Sequence, residues 1–312
     1  MKKLSLYIAA LACMALVFSC KEDETTETKP SLSGLSMKGG VAYIAIGETQ
    51  NYTLDISSLT TSGDEMPATL GLYYNVNSKD KITLTEDIKL NPVLAFSYKA
   101  DTLGVYVVNC YVYALDESQY SASTSSTFQA IDPATSLKGT AGTLQPGQKY
   151  LQITCSGLTW MAQNLGETGS GLPYEKCEVM NTIFGRYYTY EEALTACPSG
   201  WRLPTAAEWD ALGSDSGKLM ANATFLDSTL WPYCKEVTIT NQTGFNAIPT
   251  GYIDKTEYYA SNMGMKEYAA FWTADAKDAT LAYYRYIFGT NPVVQKGEGS
   301  RTSLALSVRC VK

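Results

Sequence analysis

The sequence contains no histidine among its 312 residues. This absence excludes Ser-His-Asp triads, Cys-His dyads, histidine-ligated zinc and haem held by histidine. Catalysis by paired carboxylates is not excluded, but the Asp and Glu residues are scattered and no two of them can be paired from the sequence. We therefore predict a protein that is not an enzyme and holds no cofactor or metal.

Basic side chains are also scarce. The chain has 24 Lys and Arg against 31 Asp and Glu, a formal net charge of −7. Nucleic-acid binding requires basic patches that neutralise phosphates, so this composition disfavours a nucleic-acid partner. Beyond the N-terminal segment, no apolar run reaches the length that a membrane-spanning helix needs.

The first twenty residues (MKKLSLYIAALACMALVFSC) have the layout of a secretory signal that ends at a lipidation site. Two lysines precede an apolar run, and Ser19 stands directly before Cys20. We predict a signal peptide over residues 1–19 and acyl chains on Cys20 that insert into outer-membrane lipid. An ordinary signal peptide with an incidental cysteine is the alternative, because Phe18 stands where a small residue is usual.

Residues 20–30 are predicted to form a lipidated tether. Lys21-Glu22-Asp23-Glu24 resembles the surface-export signal of lipoproteins in Bacteroidota. The resemblance implies an outer-membrane location facing the extracellular medium. The same segment also fits a polar, disordered spacer, and the two interpretations are compatible.

Residues 31–132 alternate between short apolar strands and turn residues, which predicts an all-β, immunoglobulin-like sandwich. The predicted strands are residues 41–46, 50–56, 70–76, 82–84, 93–98, 105–114 and 123–130. Residues 101–106 (DTLGVY) resemble the approach to a tyrosine corner, with Tyr106 as the corner residue. Cys110 is predicted to be a buried small hydrophobe. We expect this half to serve as a spacer.

Residues 133–148 are rich in Gly, Pro, Ser and Thr and are predicted to form a linker. Beyond it, two capping boxes predict short helices. Thr189 and Glu192 form the first, and Thr205 and Glu208 form the second. Glu208 is therefore interpreted as a helix cap and not as a catalytic carboxylate.

The second half contains five sequence blocks in a characteristic order: 160–165 (WMAQNL), 184–194 (FGRYYTYEEAL), 197–209 (CPSGWRLPTAAEW), 244–249 (GFNAIP) and 307–311 (SVRCV). Over residues 149–312 this arrangement resembles the Fibrobacter succinogenes major paralogous domain family. That family is similar in fold to C-type lectin-like domains and to the formylglycine-generating enzymes. The resemblance implies an α+β lectin-like domain with two helices, a small antiparallel sheet and a long irregular loop at about residues 213–270.

The same resemblance implies a disulfide between Cys197 and Cys310, because lectin-like folds often tie the end of the first helix to the last strand. An exported protein meets the oxidising conditions that this bond needs. Alternation along the strand buries Cys155, which leaves Cys177 with Cys234 as a weaker second pairing by elimination.

Three functions are compatible with the resemblance. A formylglycine-generating activity would need a cysteine pair before the final strand, and residues 271–309 contain no cysteine. A calcium-dependent lectin would need sequence blocks of which only residues 290–292 (TNP) come near. We therefore expect a non-catalytic module for adhesion or for binding a glycan or surface protein, with a structural role in a surface assembly as the alternative.

The predicted ligand-binding residues are aromatic side chains in the long loop. There they lie among Pro, Asn, Ser and Thr, where a ring can offer one face to a ligand. They are Trp231, Tyr233, Tyr258 and Tyr259. Core packing is the alternative for each of them, and it is the favoured interpretation for the aromatic residues of the helices and strands, which are Trp160, Trp201, Trp209, Phe245 and Trp272.

Overall fold

A computed structural model of the chain describes residues 31–62, 66, 69–86, 93–115, 121–256 and 262–312. Cys20, residues 21–24, Tyr258 and Tyr259 lie outside the described residues. Within the described ranges, no helix is long and apolar enough to cross a membrane.

In the described residues of the first half, the regular elements are all strands. They are β1 (Leu32–Ser33), β2 (Ser36–Gly39), β3 (Tyr43–Ala45), β4 (Thr49–Asp55), β5 (Thr60–Thr61), β6 (Leu70–Val76), β7 (Ile82–Thr85), β8 (Val93–Lys99), β9 (Gly104–Ala114) and β10 (Ser121–Ile131). All seven predicted strands are present, with ends within two residues of the prediction.

These strands form an immunoglobulin-like sandwich. One sheet has the order β3-β10-β9-β6-β7, and the other has the order β2-β4-β8. Along β9, alternate residues from Tyr106 to Ala114 are buried, and Cys110 is fully buried among them. The Tyr106 hydroxyl donates to the Thr102 carbonyl at 2.8 Å, which forms the predicted tyrosine corner.

The second half is also rich in strands and adds short helices. The strands are β11 (Leu137–Lys138), β12 (Gln152–Cys155), β13 (Leu158–Met161), β14 (Leu172–Pro173), β15 (Arg186–Thr189), β16 (Thr224–Phe225), β17 (Ser228–Thr229), β18 (Tyr252–Asp254), β19 (Asn262–Met263), β20 (Tyr268–Ala276), β21 (Leu281–Phe288), β22 (Gln295–Ser300) and β23 (Leu304–Leu306). The helices are α1 (Tyr190–Ala196), α2 (Ala206–Ala211) and α3 (Ser216–Leu219), with 3₁₀ turns at Tyr174–Lys176 and Glu178–Thr182.

Both predicted capping boxes are confirmed. The Thr189 side chain accepts from the Glu192 amide and the Thr205 side chain accepts from the Glu208 amide, while each glutamate side chain accepts from the cap amide.

Two sheets of the second half form the walls of the groove described below. One has the strand order β14-β15-β23-β18-β19, and the other has the order β20-β21-β22.

The segment predicted as a linker packs against the second half of the chain. Strand β11 pairs with β16, and the Ala141 amide donates to Asn246 Oδ1 at 2.7 Å. Next to it, the Tyr43 ring of the sandwich contacts Phe225, with ring centroids 5.8 Å apart. The glycines and prolines of residues 133–148 provide turns in this packed segment. The composition of the segment alone does not indicate that it packs on the second half of the chain.

The predicted disulfide between Cys197 and Cys310 is confirmed, with 5.9 Å between the Cα atoms. The second pairing is wrong, because Cys177 and Cys234 are both free thiols. They pack in different hydrophobic clusters, Cys177 around Phe184 and Cys234 beside Trp231. Cys155 is free and only half-buried.

Candidate ligand-binding groove

Alternate residues of β20 and β21 place aromatic side chains on one face of a sheet. Tyr284, Tyr286 and Phe288 share a face of β21 because side chains in a strand alternate with period two. Across the ladder, Tyr268 on β20 pairs with Phe288, and Gln295 on β22 pairs with Tyr286. The sequence of these strands therefore produces a row of rings with an amide beside it.

A second sheet supplies the facing wall. Tyr252 from β18, Met263 from β19, and Leu304 and Leu306 from β23 line it, and Gly264 follows directly after β19. Between the two walls lies an open groove of about 600 Å³. This volume is within the range of about 300 to 1,000 Å³ that small-molecule sites occupy.

Contacts between the aromatic rings hold the tyrosine side chains of the groove in place. Tyr268 stacks on Tyr286 with centroids 4.9 Å apart, and it meets Tyr252 edge-on at 5.5 Å. Tyr284 lies between Tyr286 at 5.7 Å and the buried Trp272 at 5.9 Å. The inner end of the row thus merges with the core, whereas Phe288 at the outer end is 38% exposed.

Gly297 on the third strand provides the room that one of these rings needs. A Cβ at Gly297 would come within 2.3 Å of the Tyr284 ring. Any other residue at this position would therefore displace Tyr284 from the groove wall. Glycine in a strand commonly marks such a close approach.

The polar groups of the groove are neutral apart from one carboxylate. Among the described residues that line it, Glu267 is the only charged side chain, and Asn291 and Gln295 supply amides. Burial, reinforced by the hydrogen bond that Tyr268 donates to the Tyr284 hydroxyl, raises the pKa of Tyr268 well above its usual range. Tyr268 is therefore an uncharged phenol at physiological pH.

A smaller depression of about 230 Å³ adjoins the groove. Glu267 and Phe288 line both spaces, and Tyr233, Gly289 and Thr290 complete the smaller one. Tyr233 is 60% exposed, so its ring is accessible, and its role in ligand binding stays a prediction.

The prediction for Trp231 is wrong. Its side chain is only 2% exposed, and its indole N–H donates to the Ala247 carbonyl at 3.2 Å. The ring packs in a hydrophobic cluster with Phe245 and Phe271 and so offers no face to a ligand. The polar residues around Trp231 in the sequence do not indicate that this part of the loop folds onto the core.

The tyrosines that line the groove are not among the binding residues predicted from the sequence. Tyr252 and Tyr268 fall within residues 213–270, where the sequence predicts an irregular loop, yet both lie on strands, as do Tyr284 and Tyr286. The pattern Tyr284-x-Tyr286-x-Phe288 was the available signal, since it places three rings on one strand face. It does not show whether that face is covered.

The described residues contain no group of three or more Cys, Asp and Glu side chains that could hold a metal ion. Glu208 is a cap and an ion-pair partner, with its two carboxylate oxygens 2.8 and 2.6 Å from Arg202. These hydrogen bonds are the main cause that lowers the pKa of Glu208 to about 2. It is therefore ionised at neutral pH, and a general acid would have to be protonated.

The fold and the groove define a β-rich, disulfide-bonded protein with an immunoglobulin-like first half and an aromatic groove in its second half. The chain belongs to the Fibrobacter succinogenes major domain family, whose sequence model matches residues 153–312. Among curated proteins, none is significantly similar to the chain.

Several solved structures are similar to parts of the chain. A PKD domain of an M14-like peptidase from Thermoplasmatales archaeon SCGC AB-540-F20 is 19% identical, with a TM-score of 0.25, over 32% of this chain and 94% of that one. A CARDB domain from Pyrococcus furiosus is 20% identical, with a TM-score of 0.23, over 33% and 95%. The Yersinia pseudotuberculosis adhesin InvE is 12% identical, with a TM-score of 0.25, over 88% and 69%.

Proposed function

We propose that this protein is a cell-surface lipoprotein that binds a glycan non-covalently in the tyrosine groove. The observation that carries the proposal is the row formed by Tyr268, Tyr286 and Phe288, open to solvent and bordered by amides and one carboxylate. Aromatic rings pack against the apolar face of a sugar, while amide and carboxylate groups bond its hydroxyls. No step of this recognition requires a metal or a cofactor.

The charge of the groove favours a neutral ligand. Glu267 is the only charged side chain among the described lining residues, so an anionic sugar would meet a carboxylate without a compensating cation. We therefore expect neutral oligosaccharides to bind more tightly than their sialylated or uronic-acid counterparts.

The lipoprotein and lectin-like parts of the proposal have separate support. Cys20 and the acidic segment that follows it would anchor the chain on the outer membrane, facing the medium. The short helices α1 and α2, the strands around them and the disulfide from Cys197, the residue after α1, to Cys310 fit an α+β, C-type lectin-like domain. The sandwich would then hold the groove away from the membrane.

A glycan array tests the binding proposal. The purified full-length chain in detergent should bind neutral glycans, and Tyr286→Ala should lower the affinity by roughly tenfold because a stacking face is lost. Tyr111→Ala is the matched control. That ring is also half-buried on a strand and stacked on a tyrosine, Tyr73 at 4.7 Å, but it lines neither depression. Equal binding by both variants would contradict the proposal, and capture of a surface protein with no glycan signal would favour the alternative of a protein ligand or assembly partner.

Cell fractionation tests the anchor. Cys20→Ser should move the protein from the membrane to a soluble fraction, because the acyl chains that hold it are lost. Replacing residues 21–24 with alanine should leave the protein lipidated but protected from added protease. Retention of the Cys20→Ser variant in the membrane fraction would contradict the lipid anchor.

A further inference from the structure

The wall between the groove and the adjoining depression is formed by two residues that belong to both. Glu267 and Phe288 line both spaces. The Gly289 amide donates to the Glu267 carbonyl at 2.9 Å, which fixes the backbone at this point. Phe288 also pairs with Tyr268 across the β20–β21 ladder, which fixes the position of its backbone. The two spaces are therefore neighbours along one surface, separated by an ordered ridge.

The smaller depression is built on a rigid base. A Cβ at Gly289 would come within 3.3 Å of the Trp231 ring, so glycine lets the backbone lie against the indole. Trp231 is itself fixed by its hydrogen bond to Ala247 and by burial. Above this base, Tyr233 is the most exposed large apolar side chain among the described residues. An exposed ring beside an ordered base is suited to stacking on a ligand.

We propose that the groove and the smaller depression are consecutive subsites for one neutral oligosaccharide chain, which crosses the ridge at Phe288; this inference rests on the proposed glycan-binding function. The larger space of about 600 Å³ holds the main part of the chain, and the space of about 230 Å³ holds its extension against Tyr233. Both spaces lack basic lining side chains among the described residues, so the selection for a neutral ligand applies along the whole path. Glu267 accepts hydroxyl hydrogen bonds where the chain crosses from one space to the other.

Ladders of neutral oligosaccharides test the two-subsite arrangement. Glucose, mannose, galactose, xylose and N-acetylglucosamine series, each from monosaccharide to hexasaccharide, would be titrated by calorimetry against the full-length chain. With the series that binds, affinity should rise roughly three- to tenfold at the length that reaches the second subsite, the amount expected for one aromatic contact. Tyr233→Ala should remove this increase and leave the affinity for shorter ligands unchanged.

A control variant separates a local effect from a general one. Leu103→Ala changes a side chain of nearly equal exposure, 58% against 60%, on the sandwich and should leave the whole length profile intact. A Tyr233→Ala profile that matches the wild type, or one that is lowered equally at all lengths, would overturn the two-subsite inference while the glycan-binding proposal stands. Absence of binding by the wild-type protein to any series would instead contradict the proposed function itself.

Discussion

The two faces of the β20–β21 sheet use aromatic side chains in opposite ways. On one face, Phe271 and Ile287 are each 1% exposed and pack beneath helix α2. On the other face, Tyr268, Tyr286 and Phe288 border an open groove. The residues alternate along the same two strands, so the local backbone does not distinguish the faces. What covers each face decides whether its rings stabilise the fold or remain available to a ligand.

A buried charge, the Arg309 side chain, packs against the covered face at Phe271. The Arg309 guanidinium donates to the carbonyls of Met161, Phe245 and Asn246 and to Asn164 Oδ1, at 2.6 to 3.2 Å. It also lies 5.5 Å from the Phe271 ring centroid. Burial lowers the pKa of Arg309 to about 9, so the group is still charged at neutral pH. The covered face is thus stabilised by packing and by the four hydrogen bonds of the buried Arg309 guanidinium.

The strongest test of the comparison removes one ring from each face. Phe271→Ala should lower the free energy of unfolding by about 3 to 5 kcal/mol, because it leaves a cavity in a packed core. Tyr286→Ala should lower it by only about 1 to 2 kcal/mol, since that ring is half-buried and its main contacts are other tyrosines. Urea denaturation of the two variants measures both values. Equal losses would show that the groove face is as much a part of the core as the other.

Arg309 provides the next largest effect. Arg309→Met should cost on the order of 3 kcal/mol, because it leaves buried acceptors without donors. Arg309→Lys should not restore the stability, since an ammonium cannot reproduce the fork of a guanidinium. Arg202→Met is the control, because the Arg202 side chain is 51% exposed and its ion pair should be worth at most about 1 kcal/mol. If Arg309→Met and Arg202→Met lowered the free energy of unfolding by similar amounts, the buried hydrogen bonds of Arg309 would not stabilise the fold more than a surface ion pair.

Helix α2, which covers the core face, should respond to acid. Hydrogen bonds from Arg202 hold the pKa of Glu208 at about 2, below its ordinary value of 4.5. Because the folded pKa is depressed, this contribution to stability is complete above pH 4.5 and disappears as the pH falls toward 2. Melting temperatures measured across this range should fall less steeply for Glu208→Gln than for the wild type. Parallel curves would show that Glu208 does not couple protonation to folding.

Local chemistry made the helices and the sandwich predictable from sequence. A capping box is complete within four residues, so Thr189 with Glu192 and Thr205 with Glu208 were recognisable without tertiary information. The long alternation from Tyr106 to Ala114 likewise indicated a strand with one buried face. The disulfide between Cys197 and Cys310 followed from the family resemblance and not from the spacing.

The groove was not predictable for the same reason that Trp231 was misassigned. Exposure depends on which distant segments fold over a residue, and composition does not record this. Trp231 lies among polar neighbours in sequence, yet it is buried in the hydrophobic cluster that contains Phe245 and Phe271. Tyr268 and Tyr286 lie on core strands, yet strands β18, β19 and β23 leave an open space over them. Alternation identifies a strand, whereas tertiary packing determines which of its faces stays open.

The smallest expected change in stability is also the most specific test of the open face. Within the part of the chain that the structure describes, the Tyr286 hydroxyl makes no hydrogen bond, although its ring stacks on Tyr268. Tyr286→Phe should therefore leave the free energy of unfolding within about 0.5 kcal/mol of the wild type, as for most changes at solvent-facing positions. Glycan affinity should nevertheless fall by roughly threefold to tenfold if the hydroxyl bonds the sugar, the value of one net hydrogen bond. Calorimetric titration beside urea denaturation separates the two quantities. An unchanged glycan affinity would mean that Tyr286 contributes only its stacking ring. A lower free energy of unfolding would mean that the hydroxyl stabilises the fold. In that case the two faces of the sheet would differ less than their exposure indicates.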